Sequence, residues 1–233
     1  MAPVIIAGMG ASTEPSKITA LTPSRRDPDR ITVRAGRRVL ATLPRKRVEA
    51  MGLTIGQAVD EALAETLAAE GTREKALTVA WRMINRRALS RWEVTDRLQR
   101  RGYEAATSQA AADRLVELGA VDDRELGRAL LREMQRSKPA GVPLMVQRLR
   151  QRGLSEPLAR ELAEEASSVV DPVETAVAFI QRKAAAMARL DPVTRKRRLW
   201  GQLARRGLDS QTIEQALDRV LGDVADNGVE QDD

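Results

Sequence analysis

Leu98-Gln99-Arg100-Arg101-Gly102-Tyr103 is the stretch that decides the fold of this chain, because it occurs three times. It returns as Leu149-Arg150-Gln151-Arg152-Gly153-Leu154 and as Leu203-Ala204-Arg205-Arg206-Gly207-Leu208, at spacings of 51 and 54 residues. Similarity at a nearly fixed period is the sequence signature of tandem structural repeats. The sequence therefore predicts three related units along the chain.

Each copy of the motif is predicted to end a helix. An apolar residue stands four positions before each motif leucine, which places the two side chains on one helical face; these residues are Val94, Met145 and Leu199. The motif glycine can adopt the left-handed conformation just past the helix end, and the arginine before it suits the negative end of the helix dipole. Each motif thus marks the end of an amphipathic helix and a turn into the next one.

The composition excludes several classes of chemistry. The chain has 233 residues with no cysteine and no histidine. Disulfide frameworks, thiolate metal sites, common zinc sites and imidazole-based triads are therefore impossible, and no cofactor is expected. The lack of cysteine and of a signal or membrane-spanning segment favours a cytoplasmic protein.

The net charge of +6 understates how basic most of the chain is. Residues 222–233 hold five acidic residues and no Lys or Arg, so the rest of the chain carries +11. Such a balance suggests a polyanionic partner or an acidic protein surface. Aromatic residues are only 2% of the chain, too few for a base-stacking platform.

Helix caps, helix stops and turn residues divide the chain into six parts. The predicted parts are a disordered leader at 1–28, a β-hairpin plus helix at 29–71, three-helix repeats at 72–120, 121–170 and 171–221, and an acidic disordered tail at 222–233. The predicted fold class is all-α, with three tandem three-helix repeats forming an elongated array and a small N-terminal segment that contains a β-hairpin.

The N-terminal segment is predicted from local signals. Ile31 and Val33 alternate with polar residues, and a turn at 35–37 precedes a second apolar run, which indicates a hairpin. Thr54 and Gln57 have the spacing of a capping box and predict a helix starting there. Gly71 is expected to close that helix.

Similar signals place the helix starts within the repeats. Ser90 with Glu93 forms another capping box, and the adjacent acids Asp122-Asp123 are expected to cap a helix rather than bind metal. Pro139-Ala140-Gly141 predicts a break. Further helix starts are predicted at Asp171-Pro172, Asp191-Pro192 and Asp209.

Two interpretations remain open for the repeated arginines Arg101, Arg152 and Arg206. As charges that complement a helix C-terminus, each contributes about 0.3–1 kcal/mol. Alternatively, they present a recurring cation to a partner. Arg195-Lys196-Arg197-Arg198 is a denser signal for phosphate or acidic-surface contact, since four successive cations occupy most of a helical turn.

The order and spacing of these motifs resemble the RecX family of bacterial recombination regulators, over about residues 72–221. The stretches that carry the resemblance are Arg87-Ala88-Leu89-Ser90 with Glu93-Val94, Leu98 to Tyr103, Leu115 to Asp123, Arg136-Ser137-Lys138 with Gly141, and Leu203 to Leu208. Residues 30–56 look like the short N-terminal extension common in that family.

The resemblance implies a non-enzymatic modulator of RecA. Such a protein would bind the RecA–DNA filament and inhibit RecA ATP hydrolysis, filament extension and strand exchange, with effects on recombination and the SOS response. It would act as a monomer in the cytoplasm, with no membrane association. The residues expected to contact the partner or DNA are Arg87, Arg101, Arg152, Arg195, Lys196, Arg197, Arg198 and Arg206.

A second hypothesis comes from the charge alone. The chain could bind DNA directly through phosphate contacts of its helix pairs, without RecA. Binding to bare DNA at near-physiological salt, compared with binding to recombinase-coated DNA, distinguishes the two hypotheses.

Overall fold

Ten α-helices and five strands make up the part of the chain that the computed structural model describes, residues 16–25 and 27–222. The strands are β1 Ser16–Lys17, β2 Ala20–Ser24, β3 Asp27–Ala35, β4 Arg38–Pro44 and β5 Ala58–Val59. The helices are α1 Arg45–Ala50, α2 Glu61–Ile84, α3 Arg91–Gln99, α4 Ala105–Glu117, α5 Asp123–Ser137, α6 Val142–Gln151, α7 Glu156–Val169, α8 Pro172–Ala184, α9 Pro192–Ala204 and α10 Ser210–Leu221, with a short 3-10 helix at Ala185–Met187. The predicted helical fold class with a small N-terminal hairpin is confirmed.

The helices after β5 come in threes, α2–α4, α5–α7 and α8–α10. The middle helix of each group ends just before a motif glycine, at Gln99, Gln151 and Ala204. The three glycines have φ of +86°, +81° and +75°. Their predicted role as left-handed residues that end helices is therefore confirmed.

Contacts divide the chain into two compact units. Among the described residues, the first unit holds 16–82 and 98–114, and the second holds 83–97 and 115–222. The first unit therefore contains the strands, and the second contains the last six helices.

The first unit is built on the predicted hairpin. Strands β2, β3 and β4 form an antiparallel sheet in that order, with Val33 opposite Ala41 and Thr32 opposite Thr42. One face of this sheet packs with α1, α2 and the β1–β5 pair. Its core consists of Ile18, Ile31, Val33, Ala41, Leu43, Val48, Leu53, Val59 and Leu67.

In the described part of the chain, regular structure begins at Ser16, within the leader that was predicted to be disordered over 1–28. Strands β1 and β2 lie within that range, and Leu21 pairs with Val33 in the sheet. Pairing with β3, which the local composition does not reveal, is what orders these residues. Residues 1–15 of the predicted leader, and the predicted tail apart from Gly222, lie outside the described residues.

The helix start predicted at Thr54 and Gln57 is wrong. The Thr54 N–H does donate to Gln57 Oε1 at 3.2 Å, but the chain continues as β5, where Val59 pairs with Ser16. The helix begins instead at Glu61, where Asp60 Oδ1 accepts the Leu63 N–H at 2.8 Å. A capping hydrogen bond can close a turn without starting a helix.

The helix end predicted at Gly71 is also wrong, because α2 continues to Ile84. Gly71 lies where α2 approaches β4, and a Cβ there would meet the Ala41 Cβ at 3.4 Å. A glycine inside a helix costs about 1 kcal/mol relative to alanine. Here the glycine serves the close packing of a helix on a strand.

The second unit contains two helical cores. Met145, Leu149 and Leu162 belong to the core of α5–α7, and Phe179, Leu199 and Leu217 to the core of α8–α10. The predicted break at 139–141 is confirmed, since it separates α5 from α6. The predicted caps are confirmed at Asp122, Asp171, Asp191 and Asp209, each of which accepts backbone N–H hydrogen bonds from the first turn.

Candidate functional site

The Arg152-Gly153 motif docks on the start of α3. Arg152 reaches Glu93 with two nitrogens, Nη2 to Oε2 at 3.0 Å and Nε to Oε1 at 3.1 Å, and donates to the Ala88 carbonyl at 3.2 Å. In return, Ser90 Oγ donates to the Arg152 carbonyl at 2.6 Å. The predicted capping box of Ser90 and Glu93 is formed as well, with both hydrogen bonds at 3.0 Å.

Glu93 is the centre of this junction. It is 8% exposed and also pairs with Arg87 at 3.0 Å. Burial alone would raise the pKa of Glu93, but hydrogen bonds from Arg152 and the Ser90 N–H, together with the charges of Arg152 and Arg87, hold it below its ordinary value. Glu93 is therefore ionised at neutral pH, and it binds Arg152 and Arg87 closely and Arg97 at 3.9 Å.

Gly153 completes the same junction by allowing Trp92 to lie against the backbone. A Cβ at Gly153 would lie 2.6 Å from the Trp92 ring, which no side chain tolerates. Trp92 of the first repeat therefore packs against Gly153 of the second, although 51% of it stays exposed.

The Arg206-Gly207 motif docks in a comparable way on the break between α5 and α6. The Gly141 N–H donates to the Arg206 carbonyl at 2.9 Å, and a Cβ at Gly141 would overlap the Gly207 carbonyl oxygen. The Arg206 guanidinium lies 5.0 Å from the Phe179 ring centre and 3.4 Å from the Pro139 carbonyl oxygen. Burial lowers the pKa of Arg206, which nevertheless stays charged at neutral pH.

Arg152 and Arg206 thus share an arrangement that the sequence did not reveal. In each, the arginine and glycine that end a middle helix contact the preceding repeat. Arg101, which ends the middle helix of the first group, is exposed.

Asp122 and Asp123 cap two different helices. Asp122 caps its own helix α5, whereas Asp123 Oδ1 accepts the Arg91 N–H at the start of α3 at 2.8 Å. Burial raises the pKa of Asp123, and the Arg91 hydrogen bond offsets part of that rise. Among the residues that the structure describes, no group of three or more His, Cys, Asp or Glu side chains could hold a metal ion.

The densest set of cations lies on α8, α9 and the turn between them. Seven Lys or Arg and a single acid fall between Arg182 and Arg198, inclusive. Of these seven cations, only Arg195 to Arg198 were predicted to contact a partner, because they are consecutive in the sequence. Arg182, Lys183 and Arg189 were not predicted. An excess of cations counted over more than one helical turn would have indicated them.

The four successive cations of α9 have different surroundings. Lys196 Nζ lies 3.1 Å from Asp218 of α10, while Arg195 is half-buried and its Nε has no hydrogen-bond partner among the residues that the structure describes. Arg197 and Arg198 are exposed and, within residues 16–25 and 27–222, have no carboxylate within 4.0 Å. Between these charges, Val193 and Trp200 line a shallow depression together with Lys196 and Arg197. We call residues 195–198, together with Arg182, Lys183 and Arg189 of the same stretch of sequence, the α8–α9 basic surface.

The second repeat contrasts with this surface because several of its arginines pair with carboxylates of the same repeat. Two ion pairs join α5 to α7. Arg124 lies 2.6 Å from Glu161, and Arg128 lies 3.1 Å from Glu165. Hydrogen bonding to Glu161 raises the pKa of Arg124. Among the described residues, Arg124 and Arg128 are thus occupied by carboxylates, unlike Arg197 and Arg198 of the third repeat.

No helix in the described part of the chain has the length and apolar character that crossing a membrane requires.

Comparison with known proteins gives one consistent answer. The sequence pattern of the RecX first three-helix domain matches residues 76–115, and that of the RecX third three-helix domain matches residues 170–217. Among solved structures, the crystal structure of a regulatory protein RecX superposes with a TM-score of 0.75, covering 87% of this chain and 99% of that one at 16% identity. RecX from Lactobacillus salivarius superposes with a TM-score of 0.58 over 64% of this chain and 96% of that one, at 15% identity.

Curated relatives are more similar in sequence. The regulatory protein RecX of Prosthecochloris aestuarii is 33% identical over 147 residues, covering 63% of this chain and 94% of that protein. That of Pelodictyon phaeoclathratiforme is 31% identical over 152 residues, covering 65% and 92%. With nearly the whole length of these relatives matched by this chain, and with two of its three-helix regions matching RecX domains, this chain belongs to the RecX family of regulatory proteins.

Proposed function

We propose that this RecX-family protein binds the RecA–DNA filament and inhibits RecA ATP hydrolysis, filament extension and strand exchange. Family membership supports a regulatory role, and the resemblance in the repeats points to RecA as the partner. The observation that carries the proposal for this chain is the α8–α9 basic surface, whose exposed arginines have no acidic partner among the described residues.

The charge of this surface suits a filament made of nucleic acid and protein. Cations that are already paired gain little from a new anion, because the existing pair must first be broken. Arg197 and Arg198 are exposed and face no such cost. They attract phosphate or carboxylate groups at long range and release counterions when they bind DNA.

We assign the partner contact first to residues 195–198, with Arg182, Lys183 and Arg189 extending the same surface. The predicted contacts of Arg87, Arg101, Arg152 and Arg206 stay predictions. Arg152 and Arg206 bind residues of the preceding repeat, and Arg87 binds Glu93 while staying 54% exposed.

The composition favours binding over catalysis. With no histidine or cysteine in the sequence, the usual nucleophile–base pairs cannot form. Direct DNA binding without RecA is the second candidate function, and the same uncompensated cations favour it.

The first experiment measures ATP hydrolysis by the cognate RecA on single-stranded DNA, with this protein added below one molecule per RecA protomer. We expect inhibition at these ratios without equivalent binding to bare DNA. Inhibition that appears only when the protein is abundant enough to coat the DNA would contradict filament binding and support the second candidate.

The second experiment repeats the titration with Arg197→Glu/Arg198→Glu. The matched control is Arg132→Glu/Arg136→Glu, which makes the same charge change on exposed positions of α5. We expect the α9 variant to inhibit far more weakly and the control to inhibit nearly as well as the unaltered protein. Equal loss in both variants would mean that net charge, rather than this surface, carries the effect.

A further inference from the structure

The sheet of the first unit is a second strongly basic region. Residues 16–50 contain ten Lys or Arg and three Asp or Glu, a net charge of +7 in 35 residues. They contain no aromatic residue. This region has the charge for a polyanion but no ring for stacking on bases.

Cations near the open end of the β3–β4 hairpin are neutralised by α2. Arg30 Nη2 lies 2.9 Å from Glu74 Oε2, and Arg47 contacts both carboxylate oxygens of Glu70 at 2.8 and 3.1 Å. The hydrogen bond from Arg47 is the main cause of the lowered pKa of Glu70. These arginines are thus occupied within the fold.

The opposite end of the hairpin, residues 34–38, is different. This hairpin tip carries Arg34, Arg37 and Arg38 within five residues. Arg37 and Arg38 are exposed and Arg34 is half-buried. In the described parts of the chain, none of the three has a carboxylate within 4.0 Å. The tip therefore concentrates three cations that no carboxylate of the described residues neutralises.

The hairpin tip is held in one conformation. Gly36 adopts a φ of +58°, and its N–H donates to Thr19 Oγ1 at 2.9 Å. The Arg34 carbonyl accepts hydrogen bonds from the Thr19 hydroxyl at 3.3 Å and the Thr19 N–H at 2.8 Å. A cluster of cations on an ordered backbone loses less entropy on binding than one on a flexible loop.

Hydroxyl groups lie next to the tip on the sheet. Thr22, Thr32 and Thr42 are opposite one another on adjacent strands, and the hydroxyls of Thr32 and Thr42 are 3.2 Å apart. Arg34 follows Thr32 by two residues on β3, so both side chains lie on the face opposite the buried Val33. Arginine and threonine side chains are common donors to phosphate oxygens.

We propose that the hairpin tip binds the phosphate backbone of nucleic acid, independently of base sequence. Its three arginines have no carboxylate partner among the described residues, its backbone is anchored by hydrogen bonds to Thr19, and neighbouring hydroxyls offer further donors. This inference goes beyond the functions proposed above, because it assigns a nucleic-acid contact to the hairpin tip of the first unit, whereas those functions are argued from the α8–α9 basic surface of the second unit.

The test measures binding of a fluorescently labelled single-stranded oligonucleotide to the full chain, without recombinase, over a range of salt concentrations. Each phosphate contact contributes about 0.7 to the slope of log K against log salt for a single strand. We expect Arg34→Gln/Arg37→Gln/Arg38→Gln to lower this slope by about 2 and to weaken binding roughly tenfold or more at 0.1 M salt.

The matched control is Arg45→Gln/Lys46→Gln/Lys75→Gln. It removes the same charge from exposed positions of the same unit, outside the tip. We expect its salt slope to match that of the unaltered protein. The charge-preserving variant Arg34→Lys/Arg37→Lys/Arg38→Lys should also keep the slope, which separates loss of charge from loss of fold.

An unchanged slope in the tip variant would overturn the proposal, and so would equal reductions in the tip and control variants. The result is independent of RecA regulation. A tip variant that loses oligonucleotide binding yet inhibits RecA normally supports the inference and leaves the proposed function intact. A protein that binds oligonucleotide through the tip but never inhibits RecA supports the inference and removes the proposed function.

Discussion

Arg152 and Glu93, 59 residues apart in the sequence, form an ion pair through two hydrogen bonds of 3.0 and 3.1 Å that joins the second repeat to the first. The Glu93 side chain is 10% exposed and that of Arg152 is 27% exposed. Trp92 and Gly153 pack beside the pair. The arginine of the repeated motif therefore does more than complement the end of its own helix.

We expect Arg152→Ala to destabilise the fold by about 1–3 kcal/mol, because it leaves a mostly buried carboxylate without its main partner. Urea unfolding followed by circular dichroism measures the change. Arg160→Ala is the control, since its pair with Glu156 lies on the same repeat but is 64% and 50% exposed. The control should leave stability almost unchanged, because both of its partners are solvated, and equal losses in the two variants would contradict the role of Arg152.

Glu93 should make stability depend on acid pH. Its pKa is lower in the folded chain than its ordinary value, so its contribution is present above that value and is lost as the pH falls through the folded pKa. We expect the unfolding free energies of the unaltered protein and of Glu93→Gln to converge as the pH falls below about 4.3.

Arg152→Gln provides the check on this assignment. Removing the arginine takes away the strongest contact that lowers the pKa of Glu93, so the acid dependence attributable to Glu93 should shrink in that background. If stability depends on acid pH as strongly in Arg152→Gln as in the unaltered protein, that dependence comes from carboxylates other than Glu93.

The close approach of Gly141 and Gly207 should make Gly141→Ala strongly destabilising. A Cβ at Gly141 overlaps a backbone carbonyl oxygen, which cannot rotate away, so α5–α6 and the motif of the third repeat must separate. We expect a loss of about 2 kcal/mol or more, measured by urea unfolding.

Gly201→Ala is the matched control. Gly201 lies within α9, and a Cβ there would meet only the end of the Arg205 side chain, at 3.4 Å. This change should be neutral or should stabilise the protein by up to about 1 kcal/mol. If Gly141→Ala is equally harmless, the junction between the repeats is not a close-packed one.

Features that depend on neighbouring residues could be predicted from the sequence, whereas features that depend on contacts between distant residues could not. The motif glycines and the caps at Asp122 and Asp171 act within one helical turn, so their residue types reveal them. The predictions at Gly71 and Thr54 failed because they depend on distant residues. Gly71 is needed where β4 packs against α2, and the residues after Thr54 form β5, which pairs with β1.

The same division holds for the candidate site. The charge of residues 195–198 is visible in the sequence, whereas the pairing of Lys196 with Asp218 depends on how α9 packs against α10. The partner of Arg152 lies in another repeat, at a spacing that no local pattern marks. Which cations are neutralised is therefore a property of the tertiary structure.

Arg206 and Arg205 allow the two interpretations of the repeated arginine to be separated at adjacent positions. Arg206 lies over Phe179 and contacts the Pro139 carbonyl, whereas Arg205 is exposed. We expect Arg206→Gln to lower the unfolding free energy by about 1 kcal/mol, through loss of the cation–π contact, and Arg205→Gln by less than about 0.5 kcal/mol.

Binding of the folded variants to the RecA–DNA filament then distinguishes the roles. Both substitutions remove one positive charge. If Arg206 only joins repeats, we expect the two variants to bind the filament with equal affinity. A selective loss of affinity in Arg206→Gln, measured at a temperature where both variants are fully folded, would instead mean that the repeated arginine contacts the partner. The first outcome leaves Arg195 to Arg198 as the main contact, and the second extends the contact to the motif itself.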